Sequence, residues 1–147
     1  MLMKTPQQLL QLAKAFKQKA AQLPRLIGVE AVNHFQDKFT NGNDHWEGKS
    51  WPAPKRKTDG PIRRKRGRGY RKGFSPRDAS RHTLVGKGTL SRSLDYKTNS
   101  RGVVIYSNVP YAKRHNEGLK GMPQRQFAGM EKALMKKIEK LASDFGF

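Results

Sequence analysis

The chain has 147 residues, a formal charge of +20 and a hydrophobic content of 35%. That length suits one domain with a modest core, and the absence of cysteine excludes disulfides and thiolate chemistry. No run reaches the roughly 18–20 apolar residues of a membrane span, and no apolar signal-peptide region opens the chain, so a soluble, non-secreted protein without membrane partners is expected.

Thr5-Pro6 reads as a helix start, with Thr5 as N-cap and Pro6 in the first turn. Leu9, Leu12, Ala13, Phe16 and Ala20 recur at helical spacing, with Lys14, Lys17 and Lys19 largely outside that stripe. Pro24 is expected to interrupt or restart the helix. The stripe resumes as Leu26, Val29, Val32, Phe35 and Phe39, and Asn41-Gly42 reads as the stop. Such a stripe reads as a core-facing surface; its other reading is a face packed on a neighbouring subunit. The loop that follows holds Trp46 and Trp51-Pro52, read as rings that lid the core, with nucleobase stacking as the alternative.

Charge concentrates next. Between Lys49 and Arg81 stand thirteen Lys or Arg against Asp59 and Asp78, a net of eleven positive charges. Within it Ile62-Arg63-Arg64-Lys65-Arg66-Gly67-Arg68-Gly69-Tyr70-Arg71-Lys72 is too poor in aliphatics to bury much surface. Residues 55–81 are therefore expected to form a mobile basic arm inserted between helix and sheet. Arg63, Arg64, Lys65, Arg66, Arg68, Tyr70, Arg71 and Lys72 are its candidates for binding nucleic acid or an acidic partner. A solvated loop is the competing reading.

Thr83–Tyr96 reads as a strand with Leu90, Leu94 and Tyr96 at even spacing. Thr98–Gly102 carries turn chemistry, Val103–Tyr106 is the most β-prone run, and Asn108-Val109-Pro110 ends it. Pro110–Gly118 begins with a helical turn and closes at Gly118. From Gln124 a last helix of about four to six turns is expected, with Phe127, Met130, Ala133 or Leu134, Ile138, Leu141 and Phe145 as its apolar stripe.

Catalytic chemistry is not signalled. His34, His45, His82 and His115 are dispersed and form no metal-ligand motif, so no metal or cofactor is expected. His115-Asn116-Glu117 lacks a companion nucleophile, and His115 is read as hydrogen-bonding its own loop. Gly86-Lys87-Gly88-Thr89 lacks the phosphate-loop frame and reads as a turn followed by a strand. Eleven carboxylates among thirty-one cations show no paired-acid pattern, and a non-enzymatic protein is expected.

Three pieces in series are similar to one family. Leu84–Gly86 with Gly88-Thr-Leu90-Ser-Arg-Ser93, then Asn108-Val-Pro-Tyr-Ala112 with His115-Asn-Glu-Gly118, then Pro123-Gln-Arg-Gln-Phe-Ala-Gly129 resemble the phage virion morphogenesis family of tail-completion proteins. The resemblance extends to Val32–Asp37 and Trp46–Pro52 and departs between Pro54 and Arg81. It implies a structural protein of a bacteriophage or prophage that completes the tail or joins it to the head. Such proteins typically work as rings, with hexamers usual where they meet a tail tube. Virion partners and a host-cytoplasmic assembly stage follow from the same resemblance. On that view Tyr111, His115, Gly118, Pro123, Arg125 and Phe127 shape a junction facing other subunits. The alternative is a stand-alone basic nucleic-acid binding protein, its nearest analogue a small ribosome-associated protein.

The fold class expected from these elements is α+β: an N-terminal helix or kinked helical pair, a small antiparallel sheet and a C-terminal helix.

Overall fold

The computed structural model describes residues 6–40 and 45–146. The fold is α+β: one long helix, two small antiparallel hairpins and a C-terminal helix. The helix start at Thr5 and the stop at Asn41-Gly42 lie outside the described residues.

Helix α1 (Pro6–Asp37) is continuous, with Pro24 inside it. The interruption expected at Pro24 does not occur. A proline removes one backbone donor and crowds the preceding turn, but the residues after it pack against the second hairpin and the C-terminal helix, support that a lone helix lacks. The expected core face is also only half right. Gly28, Ala31, His34, Phe35, Lys38 and Phe39 are buried, whereas Leu9, Leu12 and Phe16 are at least half exposed and Val29 is exposed. The buried face is set by what crosses it. Gly28 meets the Tyr96 ring so closely that a Cβ there would lie 2.2 Å from Tyr96 Cδ2, which places the hairpin on that side and leaves Val29 outward.

Strands β1 (His45–Trp46) and β2 (Lys49–Ser50) form a minimal hairpin through Glu47-Gly48, both at positive φ. Two short helices, α2 (Lys55–Thr58) and α3 (Pro76–Ser80), flank the basic segment. Ser75 caps α3 with a reciprocal box: its hydroxyl accepts from the Asp78 N–H and its own N–H donates to the Asp78 carboxylate.

The expected strand over Thr83–Tyr96 is corrected. Thr89–Arg92 is a helical turn, α4, and strand β3 begins only at Leu94 (Leu94–Asn99). Leu90 and Leu94 are four apart, a spacing that fits both periods, and local hydrogen bonds decide. Gly88 stands at φ 75 before the turn, and the Ser91 and Ser93 hydroxyls donate to the carbonyls of Gly88 and Leu90. The Gly86–Thr89 turn is thus followed by helix instead of strand. Strand β4 (Gly102–Ser107) pairs with β3 in the register Leu94↔Ser107, Tyr96↔Ile105 and Asn99↔Gly102, through the two-residue turn Ser100-Arg101, after which Gly102 opens β4 at φ 137. A two-stranded hairpin is marginal alone; here one face lies across α1.

Helix α5 (Ala112–Glu117) ends at Gly118, as expected. The last helix, α6 (Lys132–Asp144), starts eight residues later than the stripe predicts and is shorter than expected. Residues 121–131 form instead an irregular strap over the core. Phe35, Phe39, Trp51, Leu90, Leu94, Phe127 and Leu134 make the heart of the core, with Phe127 5.2 Å and Trp51 6.2 Å from Phe39 between ring centroids. The tryptophan-lid reading holds: the Trp51 Nε1–H donates to the Gln126 carbonyl at 2.7 Å.

Candidate interaction surfaces

The family-like motifs converge on the strap. After α5, Gly118 adopts φ 71 and the chain doubles back so tightly that a Cβ on it would lie 2.9 Å from the Gln124 Cβ. Glycine is required there for space and for backbone angle alike. The Arg125 N–H then donates to the His115 carbonyl at 2.8 Å. The Asn116 side-chain oxygen accepts from the N–H groups of both Phe127 and Ala128, each at 3.0 Å. The two Asn116 bonds claim the Phe127 and Ala128 donors that a helix starting at Gln124 would turn to the carbonyls four residues back, so Phe127 precedes the helix and does not open it. Asn116 is the clamp, and sequence reasoning passed over it although it sits within His115–Gly118.

The six residues assigned to a partner-facing junction divide. Tyr111 and Pro123 are exposed, His115 and Gly118 half-buried, Arg125 and Phe127 buried. Phe127 is 2% exposed and belongs to the core. The Arg125 Nε–H donates to the Pro52 carbonyl at 2.8 Å and ties the strap to the tryptophan loop. Burial, then the nearby Arg56, lowers its pKa. The His115 ring does not serve its loop as expected: Nδ1 is buried with no hydrogen-bond partner among the described residues. Its ring stands edge-on to Tyr111 at 6.0 Å. Burial and the charge of Arg125 lower its pKa.

Beneath the strap lies a cluster that sequence reasoning missed. The Glu131 carboxylate, immediately before α6, receives the Lys38 ammonium at 2.8 Å, and His34 Nε2 lies 2.6 Å from its other oxygen. All three residues are buried. Burial alone would raise the Glu131 pKa, but hydrogen bonds from Lys38 and His34, with the charge of Lys38, hold it below its ordinary value. The cluster joins α1 to α6 and carries no catalytic geometry of its own. A signal was present in His34 and Lys38, four apart on the buried face of α1 beside Phe35, where polar residues require partners. Among the described residues no group of three or more His, Asp or Glu side chains forms a metal site, and no helix is long and apolar enough to cross a membrane.

The basic segment folds on itself. Arg63 bridges to Tyr70, the Ile62 N–H donates to the Phe74 carbonyl, and the Arg64 N–H to that of Gly69. The Arg63 guanidinium lies 5.6 Å from the Tyr70 ring centroid and Arg71 lies 5.2 Å from that of Phe74. Residues 63–69, 71 and 72 are exposed and Tyr70 is half-buried. The hairpin is moored at its base, where Arg56 donates to the carbonyls of Asp78 and His82. So the eight candidate residues are brought together on one projection, apart from the strap.

Comparison with known proteins finds no matching family model, curated protein or solved structure.

Proposed function

We propose that this chain is a non-enzymatic structural subunit of a bacteriophage or prophage virion, acting in tail completion or head-tail joining as a homomeric ring, hexameric where it meets a tail tube. The observation that carries this reading is the convergence of the second and third motifs on one strap, which Trp51 and Pro52 reach from 75 and 73 residues away. Asn116, Gly118, Arg125 and Phe127 together hold the strap. The first motif has a comparable role: Leu90 is buried, and the Ser93 hydroxyl lies 2.7 Å from that of Ser107, fastening the start of β3. Motif positions spent on shaping one loop-and-strap surface, with no reactive group placed on it, suit a protein whose output is assembly. It would assemble in the host cytoplasm and remain in the virion beside other tail or connector proteins.

Light scattering on the purified protein, followed by electron microscopy, tests the reading. Closed rings of several copies support it. A monomer at high concentration, with no ring on the grids, overturns the homomeric part.

One observation favours a second reading, a stand-alone nucleic-acid binder: the exposed cationic hairpin with arginines at 63, 64, 66, 68 and 71. Backbone contacts alone give weak, salt-sensitive and sequence-blind binding. A clear preference for one of two unrelated duplexes would select this second reading.

A further inference from the structure

We propose that a cavity at the base of the basic hairpin holds a phosphate of a nucleic-acid backbone, which runs on from there along the hairpin. The site lies within one chain, so the proposal goes beyond the ring reading and stands whether or not rings form.

The cavity has a volume of about 330 Å³, at the lower end of small-ligand sites. It lies among α2, the returning limb of the hairpin, α3 and the loop before α4, with Lys55, Arg56, Gly73, Phe74, Arg81 and Gly86 in its walls. Asp78 is the one carboxylate in the lining, and both its oxygens are committed. Oδ2 accepts from the Ser75 N–H at 3.1 Å and the Ser75 hydroxyl at 2.6 Å, and Arg81 Nη1 lies 3.1 Å from Oδ1. Arg56 is fixed by donating through Nε to the Asp78 carbonyl at 2.9 Å and through Nη2 to that of His82 at 2.8 Å. Its Nη1 has no partner among the described residues. A guanidinium anchored in this way loses little freedom when it meets an anion. Arg125 adds to the imbalance of charge. It is 6% exposed, the charge of Arg56 acts against it, and no carboxylate of the described residues is within ion-pair distance of either guanidinium. Buried charges ordinarily have a counter-charge, and an anion bound beside Arg56 supplies one.

The hairpin decides which anion. Every residue from 63 to 73 except Tyr70 is exposed, and each of those exposed residues is Arg, Lys or Gly. No carboxylate interrupts the chain between Gly60 and Arg77. An acidic protein would need apolar anchors at the centre of its contact, and this surface exposes none. A phosphate backbone needs only repeated cations and close approach. Gly67 and Gly69 leave the tip open, since a Cβ on either would meet nothing within 4 Å. Phe74 is half-buried, with Arg71 5.2 Å from its ring centroid, and gives the cavity an aromatic wall on which a sugar or base can rest. A free phosphate ion offers the cavity the same chemistry but gives the hairpin nothing to follow. The backbone is the ligand that uses both.

Nuclear magnetic resonance titration of the full chain with a short DNA duplex at low salt tests the site, with inorganic phosphate at matched ionic strength as the second probe. The duplex is expected to shift the amides of Gly73 and Gly86 together with those of Gly67 and Gly69, and inorganic phosphate to move Gly73 and Gly86 only weakly. In Lys55→Gln with Arg81→Gln, the shifts at Gly73 and Gly86 are expected to vanish while those at the tip persist. Affinity for the duplex should fall about tenfold, and the log–log salt slope should become shallower by about 1. Lys136→Gln with Lys140→Gln removes the same charge from the exposed face of α6 and is expected to leave the affinity within about twofold of the parent's. Gly86→Glu places a carboxylate at the cavity wall, where a Cβ meets nothing within 4 Å, and should reproduce the loss even if the paired change disturbs α3. Tip shifts with Gly73 and Gly86 unmoved would confine the duplex to the hairpin and overturn the proposal. Equal losses in the two paired variants would reduce the effect to net charge and do the same. A response to inorganic phosphate but not to the duplex would make this a free-anion site, and no response to either would leave the hairpin to an acidic protein; both results also overturn it.

Discussion

Two irregular segments of this protein answer the same question in opposite ways. The strap over residues 121–131 has no helix or strand, yet Arg125, Phe127 and Glu131 are buried within it. The basic segment over residues 55–81 has two short helices and a bridge, yet it contains no buried residue. The strap is held by groups outside it: Asn116, just upstream, on its amides, and, far upstream, Pro52 on Arg125 and Lys38 and His34 on Glu131. The basic segment is held mainly by itself. Regular secondary structure is therefore a poor guide to which segment is integral; burial against remote partners is the better one.

The sharpest way to break the contrast is to empty the strap. Phe127→Ala is expected to destabilise by about 3–5 kcal/mol, the usual cost of truncating a buried phenylalanine, which is a large part of a small domain's stability. Urea unfolding measures it. A midpoint equal to the parent's would mean that the ring is not integral to the core.

Asn116→Ala comes next. It leaves two part-buried backbone donors unserved, so a loss of about 1–3 kcal/mol is expected in the same assay. Amide exchange should locate the damage: Phe127 and Ala128 lose protection while the β3–β4 hairpin keeps its own. Uniform loss across the chain would show that the strap and the hairpin unfold as one.

These two residues also mark how far the sequence could be read. The fold class, the turn between β3 and β4 and the close of α5 at Gly118 were legible because each depends on neighbours or on strong periodicity, and the tryptophan lid because indole rings are large apolar surfaces that fold inward. The start of α6 was not. Phe127, Met130, Leu134 and Ile138 keep helical spacing through the strap, and only Asn116, eleven residues before Phe127, diverts the backbone. The partner that His34 and Lys38 share was equally hidden, since Glu131 lies 97 and 93 residues away. The outer half of α1 misled in the other direction. Its stripe is as regular as that of a core helix, yet Leu9, Leu12 and Phe16 are at least half exposed, because spacing alone does not say which faces the core covers.

A third way to sharpen the comparison is acid. The folded state holds the Glu131 pKa below its ordinary value of 4.5, so the unfolded chain takes up this proton first as pH falls. The stability it contributes is present above 4.5 and is lost progressively below it. The lowered pKa of His115 acts in the same sense at higher pH: the unfolded chain binds that proton first below its ordinary value of 6.5, and stability declines from there. Glu131→Gln is expected to flatten the decline below 4.5 and leave the one below 6.5, whereas His115→Phe should do the reverse. Urea midpoints between pH 3 and 8 read both, and a Glu131→Gln profile parallel to the parent's would remove the carboxylate from the account.

The smallest stability effect is expected where the charge is greatest. Neutralising Arg63, Arg64, Lys65 and Arg66 together removes four exposed cations and no core contact, so the urea midpoint should move by no more than about 0.5 kcal/mol, as for ordinary surface substitutions. Repulsion among neighbouring cations acts against the folded hairpin, and the sign of the small shift can even be stabilising. The same variant should differ plainly in what it binds. Each neutralised phosphate releases counterions, so the parent's affinity for duplex DNA is expected to fall steeply with salt. The variant's slope should be shallower by up to about 4 on a log–log plot, fewer if some side chains never meet a phosphate. The loss should be alike on two unrelated duplexes, because nothing in the hairpin is placed to read base edges. A large stability loss in this variant would make the basic segment as integral as the strap and erase the contrast between them. Absence of DNA binding by the parent at low salt would instead direct these cations to an acidic protein surface, such as a neighbouring component of the assembly.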